Sequence, residues 1–216
     1  MKKKYLGEPT CPIDVRPRTI SELTDAMLKT GFQGRKLAQA IESWSAMLAE
    51  KDLTIFMGLS GAMVPAGMRK IIAYMIEERM IDCLVTTGAN MFHDMHEALG
   101  GKHFLGSHLA DDGDLYKLGI DRIYDVYAEE ESFRDLDRYI ANFAERLLDN
   151  KNYSTREFIY ELGKEISKKG DKNSIIVSAY ESNLPIFIPA IADSSIGIGL
   201  LLARKSNKCP KIDVIK

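Results

Sequence analysis

Residues 54–67 read TIFMGLSGAMVPAG, and the fold turns on how they are understood. A short apolar run leads into small residues and glycines, and then into a proline of the kind tolerated in the first turn of a helix. Strand, glycine turn and helix start together make one βα unit. The pattern then repeats as PAGMRKIIAYMIEERM, IDCLVTT, GAN and MFHDMHEALGG, where β-rich runs alternate with amphipathic helical stretches. Such alternation predicts an α/β fold with a doubly wound, mostly parallel sheet covered on both faces.

Upstream, a proline-marked leader precedes Thr19-Ile20-Ser21-Glu22, a capping box that opens a short helix ending near Gly31. A second helix is expected from about Arg35 to Glu50, with Leu37, Ala38, Ile41, Trp44 and Leu48 at helical spacing. Residues 1–50 thus form a leader and helical preface, and residues 51–216 an α/β domain. Downstream, GIDRIYDVYA looks extended. Helices are expected over Glu130–Leu148 and Ser154–Lys168, and over NSIIVSAYESN with Asn173 as its cap. PIFIPAIAD is the better strand, followed by a helix IGIGLLLARK, a polar turn and a strand KIDVI. A chain stopping just after a strand reads as a C-terminally incomplete domain.

The 216 residues are 45% hydrophobic with a net charge of -2, enough for a sizeable core and too balanced for the electrostatic footprint of a nucleic-acid binder. No apolar run approaches a bilayer span, and the basic start MKKKYLGEP lacks a signal-peptide core, so a cytoplasmic protein is expected. Cys11, Cys83 and Cys209 are too few and too scattered for a disulfide framework.

In a doubly wound sheet ligands bind beyond the carboxyl ends of strands, where helix N-termini present N–H groups to anions. Three such ends are visible: Gly58–Pro65, Thr86–Asn90 and Ala192–Gly197. The first lacks G-x-G-x-x-G and reads equally as a tight turn. The second suits a ribose or phosphate through Thr87, Gly88 and Ala89. In the third, Asp193 could accept from ribose hydroxyls, pair with an amine, or cap a helix. His93 and His96 stand three residues apart with Glu97 and His103 nearby. Without a second spaced pair they are no metal site, and His93 suits acid/base or hydrogen-bonding work near the loop.

Read together, GFQGRKLAQAIESW, TIFMGLSGAMVPAGMRKII, IDCLVTTGANMFHD, LGIDRIYDVYA, STREFIYELGKEI and PIFIPAIADSSIG resemble deoxyhypusine synthase in its archaeal form, in order along nearly the whole chain. The resemblance implies a Rossmann-like deoxyhypusine synthase fold, with an NAD-binding domain over residues 51–216. It implies NAD-dependent oxidation of spermidine, capture of the aminobutyl group by a lysine, and transfer to a lysine of the translation initiation factor 5A precursor. The family's NAD-contacting residues fall on Gly61, Ala62, Met63, Val64, Pro65, Thr87, Gly88, Ala89 and Asp193, with His93 nearby. It also implies a homotetramer with active sites at dimer interfaces. No metal, nucleic acid or membrane enters this scheme.

The chain also departs from the family's eukaryotic form. Ser60-Gly61-Ala62 stands for a Thr-Ser-Asn triplet, Phe92-His93 for two glutamates, and Ile198 for an amine-binding aspartate. The region of the imine-forming lysine has no match, and no lysine here is assigned that role. Two alternatives follow: a homospermidine-type synthase with a free amine acceptor, or a non-catalytic partner of a full-length paralogue.

Overall fold

The computed structural model describes residues 6–147, 151–206 and 208–216. The first five residues of the basic start, the expected helix end at Leu148 and residue 207 of the polar turn lie outside them. The chain divides into two compact units after Leu53.

The first unit carries helices α1 (Ile20–Met27) and α2 (Phe32–Ala49), packed on each other. The capping box forms as read: the Glu22 N–H donates to Thr19 Oγ1 at 3.2 Å, and the Thr19 N–H donates to Glu22 Oε2 at 2.7 Å. Only Ala38 of the two helices is buried.

The second unit runs, in chain order, β1 (Phe56–Leu59), α3 (Arg69–Glu77), β2 (Cys83–Thr86), α4 (Gly88–Ala98), β3 (Phe104–Leu105), α5 (Asp112–Lys117), β4 (Ile120–Ile123) and β5 (Val126–Glu129). It continues with α6 (Glu130–Ala144), β6 (Asn152–Ser154), α7 (Thr155–Ile166), α8 (Ile175–Glu181), β7 (Ile186–Phe187), α9 (Ser195–Lys205) and β8 (Lys211–Asp213). Strands β1, β2 and β7 form a parallel sheet in the order β1-β2-β7, with Leu59 opposite Thr86 and Leu84 opposite Ile186. Their carboxyl ends therefore share one edge. Phe158, Ile76, Leu84, Met91, Met95, Leu162, Ile175 and Ile188 are almost wholly buried and make up much of the core.

Four differences from the sequence reading have local causes. GIDRIYDVYA is extended as read but folds back on itself as the antiparallel hairpin β4–β5, turned at Tyr124 (φ 59°), in a separate sheet ordered β3-β5-β4. The strand KIDVI pairs in parallel with β6, a short polar segment with no apolar alternation to betray it. Ser174, not Asn173, caps α8, its hydroxyl accepting from the Val177 N–H. The helix expected from Pro65 begins in earnest at Arg69: Val64–Met68 is a wide turn, closed by the Met68 N–H on Met63 O at 3.0 Å, and Gly67 at φ 87° interrupts it.

One buried ionic node binds three helices. Asp94 on α4 is 0% exposed and accepts from Arg69 Nε on α3 at 2.8 Å, from Ser174 Oγ at 2.7 Å, and from the N–H groups of Ile175 and Ile176 at 2.9 Å. A carboxylate here meets both a guanidinium and the positive end of α8. Burial pushes the Asp94 carboxyl up while Arg69 and the donors pull it down; with four donors in range, the anion is the form this geometry holds. Arg69 also reaches Asp171 at 2.9 Å. The node fixes the helix that follows the first loop against the helix that follows the second.

Candidate functional site

All three strand-end segments singled out in the sequence lie along the carboxyl edge of the parallel sheet, because β1, β2 and β7 run the same way. Thr86 Oγ1 donates to Leu59 O at 3.0 Å and ties the ends of β1 and β2. In the first segment Gly61 (φ 69°) and Ala62 are exposed, whereas Val64 and Pro65 are buried and anchor the turn, which packs against α4. Met63 is 37% exposed. Open space surrounds Gly61 where a Cβ would stand, so a ligand can approach its backbone directly.

The second and third segments touch. Gly88 is buried, and a Cβ there would sit 2.6 Å from Ser194 Cβ, closer than real side-chain carbons come. Only glycine permits this approach. It brings the N-terminus of α4 beside that of α9, two helices separated by about a hundred residues of chain. The two ends are left differently capped. Thr87 Oγ1 accepts from the Asn90 N–H at 3.3 Å, which leaves the N–H groups of Gly88 and Ala89 at the open helix start. Ser194 occupies the cap position of α9, so Asp193 does not cap it; the Ser194 hydroxyl instead donates to Ile191 O at 2.8 Å, leaving the first N–H groups of α9 without a side-chain acceptor. Asp193 is exposed, its N–H bonded to Ala190 O at 3.0 Å in the turn before α9.

The first turn of α4 holds a buried residue to which the sequence reading assigned no role. Asn90 is fully buried and donates through Nδ2 to Thr87 Oγ1 at 3.2 Å, yet its Oδ1 has no hydrogen-bond partner among the described residues. An orphaned buried acceptor costs about 1–3 kcal/mol unless something donates to it. Two open helix N-termini side by side suit a ligand that carries phosphates, while the Asn90 Oδ1 is sealed beneath them from any ligand outside.

His93 stands farther along α4, and its ring engages other residues. Nδ1 lies 3.0 Å from His103 Nε2, and His103 Nδ1 lies 2.7 Å from Glu97 Oε1. Phe133 packs edge-on against His93 and His96 at ring-centre distances of 5.5 and 4.9 Å. Burial, then the neighbouring His103 and His96, holds His93 down to about 4, and His96 is likewise lowered to about 4. Burial raises Glu97, but its bond to His103 and the nearby Arg69 outweigh that and leave it lowered. His96 Nε2 turns away to Ser132 Oγ at 2.8 Å. With the rings paired to different partners, no group of three or more metal-binding side chains forms among the described residues.

Grooves of about 1010, 650 and 450 Å³ open elsewhere on this unit: beside α5 and the β4–β5 hairpin, between α4 and α6, and around Glu157. None of these three is lined by the strand-end loops. No helix among the described residues is long and apolar enough to cross a membrane.

Residues 22–216 match the family model for deoxyhypusine synthase. The chain belongs to the deoxyhypusine synthase family. It is 61% identical, over 98% of its length, to the "Probable deoxyhypusine synthase 2" of Methanosarcina mazei, and it covers 61% of that relative. The "Deoxyhypusine synthase-like protein" of Chlorobaculum parvum is 42% identical over 93% of the chain, which covers 57% of it. The chain thus spans about three-fifths of the length of the curated relatives it matches. In fold it is similar to the crystal structure of a "putative deoxyhypusine synthase" from Entamoeba histolytica, with a TM-score of 0.69, 19% identity, 92% of this chain covered and 68% of that one. That likeness agrees with the α/β architecture and its parallel strands. At the positions where this deoxyhypusine synthase family member departs from the eukaryotic pattern, Phe92 is buried, His93 is half-buried in the histidine cluster, and Ile198 is 51% exposed.

Proposed function

We propose that residues 51–216 are a doubly wound NAD-binding domain serving deoxyhypusine synthesis: transfer of the aminobutyl group of spermidine to a lysine of the translation initiation factor 5A precursor, in a homotetramer. The observation that carries the cofactor part is the meeting of two helix N-termini at Gly88 and Ser194. These groups fit a dinucleotide. The N–H groups of Gly88 and Ala89 and the open start of α9 would hold its phosphates, with Thr87 and the exposed Asp193 available for ribose hydroxyls. Gly61, Ala62 and Met63 would contact it through the backbone, on the turn that Val64 and Pro65 anchor. Bound there, the nicotinamide would supply the hydride acceptor that amine oxidation needs.

Titration with NAD, followed by calorimetry, tests the reading. Gly88→Ala should abolish measurable binding, because the added methyl displaces Ser194 and parts the two helix ends. Asp193→Ala should weaken it about tenfold, the worth of one charge-assisted hydrogen bond at an exposed site. Absence of NAD binding by the unaltered protein would sink the reading. With the family's imine-forming lysine also supplied, as in a full-length form, offering the factor 5A precursor or putrescine as acceptor then decides between a protein lysine and a free amine.

A further inference from the structure

Arg69 stands where the turn of the first strand-end segment becomes α3. That turn is closed by the Ala66 N–H on Ala62 O and the Met68 N–H on Met63 O, both at 3.0 Å, and Arg69 is the next residue. Its side chain is only 6% exposed. Nε donates to Asp94 Oδ1 at 2.8 Å and Nη1 to Asp171 Oδ2 at 2.9 Å, while Nη2 is buried with no partner among the described residues. Two bonds in the guanidinium plane therefore orient it, and with it the end of the turn.

Asp94 carries the link onward. It lies six residues, about 9 Å, along α4 from the Gly88 helix start. Its two oxygens also accept from Ser174 Oγ at 2.7 Å and from the N–H groups of Ile175 and Ile176 at 2.9 Å, in the first turn of α8. Asp171 is tied to α4 as well, its N–H donating to Ala98 O at 3.0 Å. A buried ion pair is a poor source of stability, because desolvating both ions cancels much of their attraction and apolar side chains of similar volume hold helices together as well. What it adds is direction. A fork matched to a carboxylate accepts one relative position of its two elements, where apolar side chains accept several. Both side chains are shielded from solvent, so neither is itself a contact for a ligand arriving at the strand ends.

We propose that Arg69 is a positioning residue: through Asp94 it sets the first strand-end turn against α4, whose start is Gly88, and against the start of α8, so that a ligand meets both loops in one fixed geometry. This rests on the reading under Proposed function for the identity of the ligand, NAD. Lysine is no substitute, since a single ammonium cannot reproduce two bonds of fixed relative direction to Asp94 and Asp171.

Amide hydrogen exchange of the full chain reads the coupling without any ligand. In Arg69→Lys, exchange at Ala66 and Met68 should rise about tenfold together with that at Ile175 and Ile176, whereas Glu157, whose N–H bonds to Ser154 Oγ in the cap of α7, should keep its rate. Asp171→Asn, at the more exposed end of the network, should give a smaller rise at the same four amides. Calorimetry under conditions where urea denaturation shows each variant fully folded then reads NAD. Its dissociation constant should rise about tenfold in Arg69→Lys and further in Arg69→Met, an order that follows loss of the fork and not loss of folded protein. Unchanged exchange at either pair of amides, an equal rise at Glu157, or folded Arg69→Lys that binds NAD as tightly as the unaltered chain would overturn the proposal. If the unaltered chain binds no NAD, the earlier reading falls and the exchange result alone decides this one.

Discussion

The two units of the chain are built from equally clear local signals and end with unequal interiors. In the first, a full capping box and a helical apolar stripe produce α1 and α2, yet Leu37, Ile41 and Leu48 of that stripe remain 55%, 40% and 41% exposed. In the second, α7 opens with the same kind of box at Ser154 and Glu157, and Phe158, Ile159, Leu162 and Ile166 of its stripe are 0–2% exposed. Amphipathic spacing specifies a helix and a face. Whether that face is covered depends on partners far away in sequence.

Identical substitutions in the two units should expose this difference. Leu162→Ala empties a fully buried site and is expected to cost about 2–5 kcal/mol by urea denaturation. A smaller value would mean that the second unit is less tightly packed than its burial indicates. Acidification comes next in size. All four histidines lie in the second unit, and His93 and His96 are held near 4 against an unperturbed 6.5. Between those values the unfolded chain binds more protons than the folded one, so stability falls as pH falls, by roughly 3 kcal/mol for each of the two groups across the window. Amide exchange should show the second unit loosening between pH 6.5 and 4 while the first stays unchanged. Equal loosening would break the contrast.

The capping boxes predict a smaller, matched effect. Thr19→Ala and Ser154→Ala each remove one cap and should each cost about 1 kcal/mol locally, the former seen in the exchange of α1 and the latter in that of α7. The smallest effect is expected at Leu37, where the substitution to alanine should stay within about 0.5 kcal/mol; a loss like that at Leu162 would mean that its exposed face is covered in solution.

Legibility in the sequence followed range of interaction. The β1 and β2 runs and the helix starts at Thr19 and Ser154 were readable because each depends on neighbours within one or two turns. The hairpin at Tyr124 and the short strand β6 were not, since one depends on a left-handed residue with no glycine or asparagine to mark it, and the other has too few apolar residues to show a period. At the site, Thr87, Gly88 and Asp193 stood out as strand-end residues. Asn90 and Ser194 did not, because their significance is an unpaired atom and a close approach. His93, His96, Glu97 and His103 were visible as a set, but not which ring would face which partner.

By itself, then, the sequence determined the alternation of strands and helices, the small residues at strand ends and the family they spell in order, all of which follow from spacing and backbone preference. The tertiary structure alone decided that the starts of α4 and α9 meet at Gly88 and Ser194, that Asp94 locks three helices together, and that His93 and His103 meet ring to ring while His96 turns to Ser132. Each of those outcomes joins groups from different elements, and hydrogen-bond direction and close packing between elements have no signature in the local order of residues.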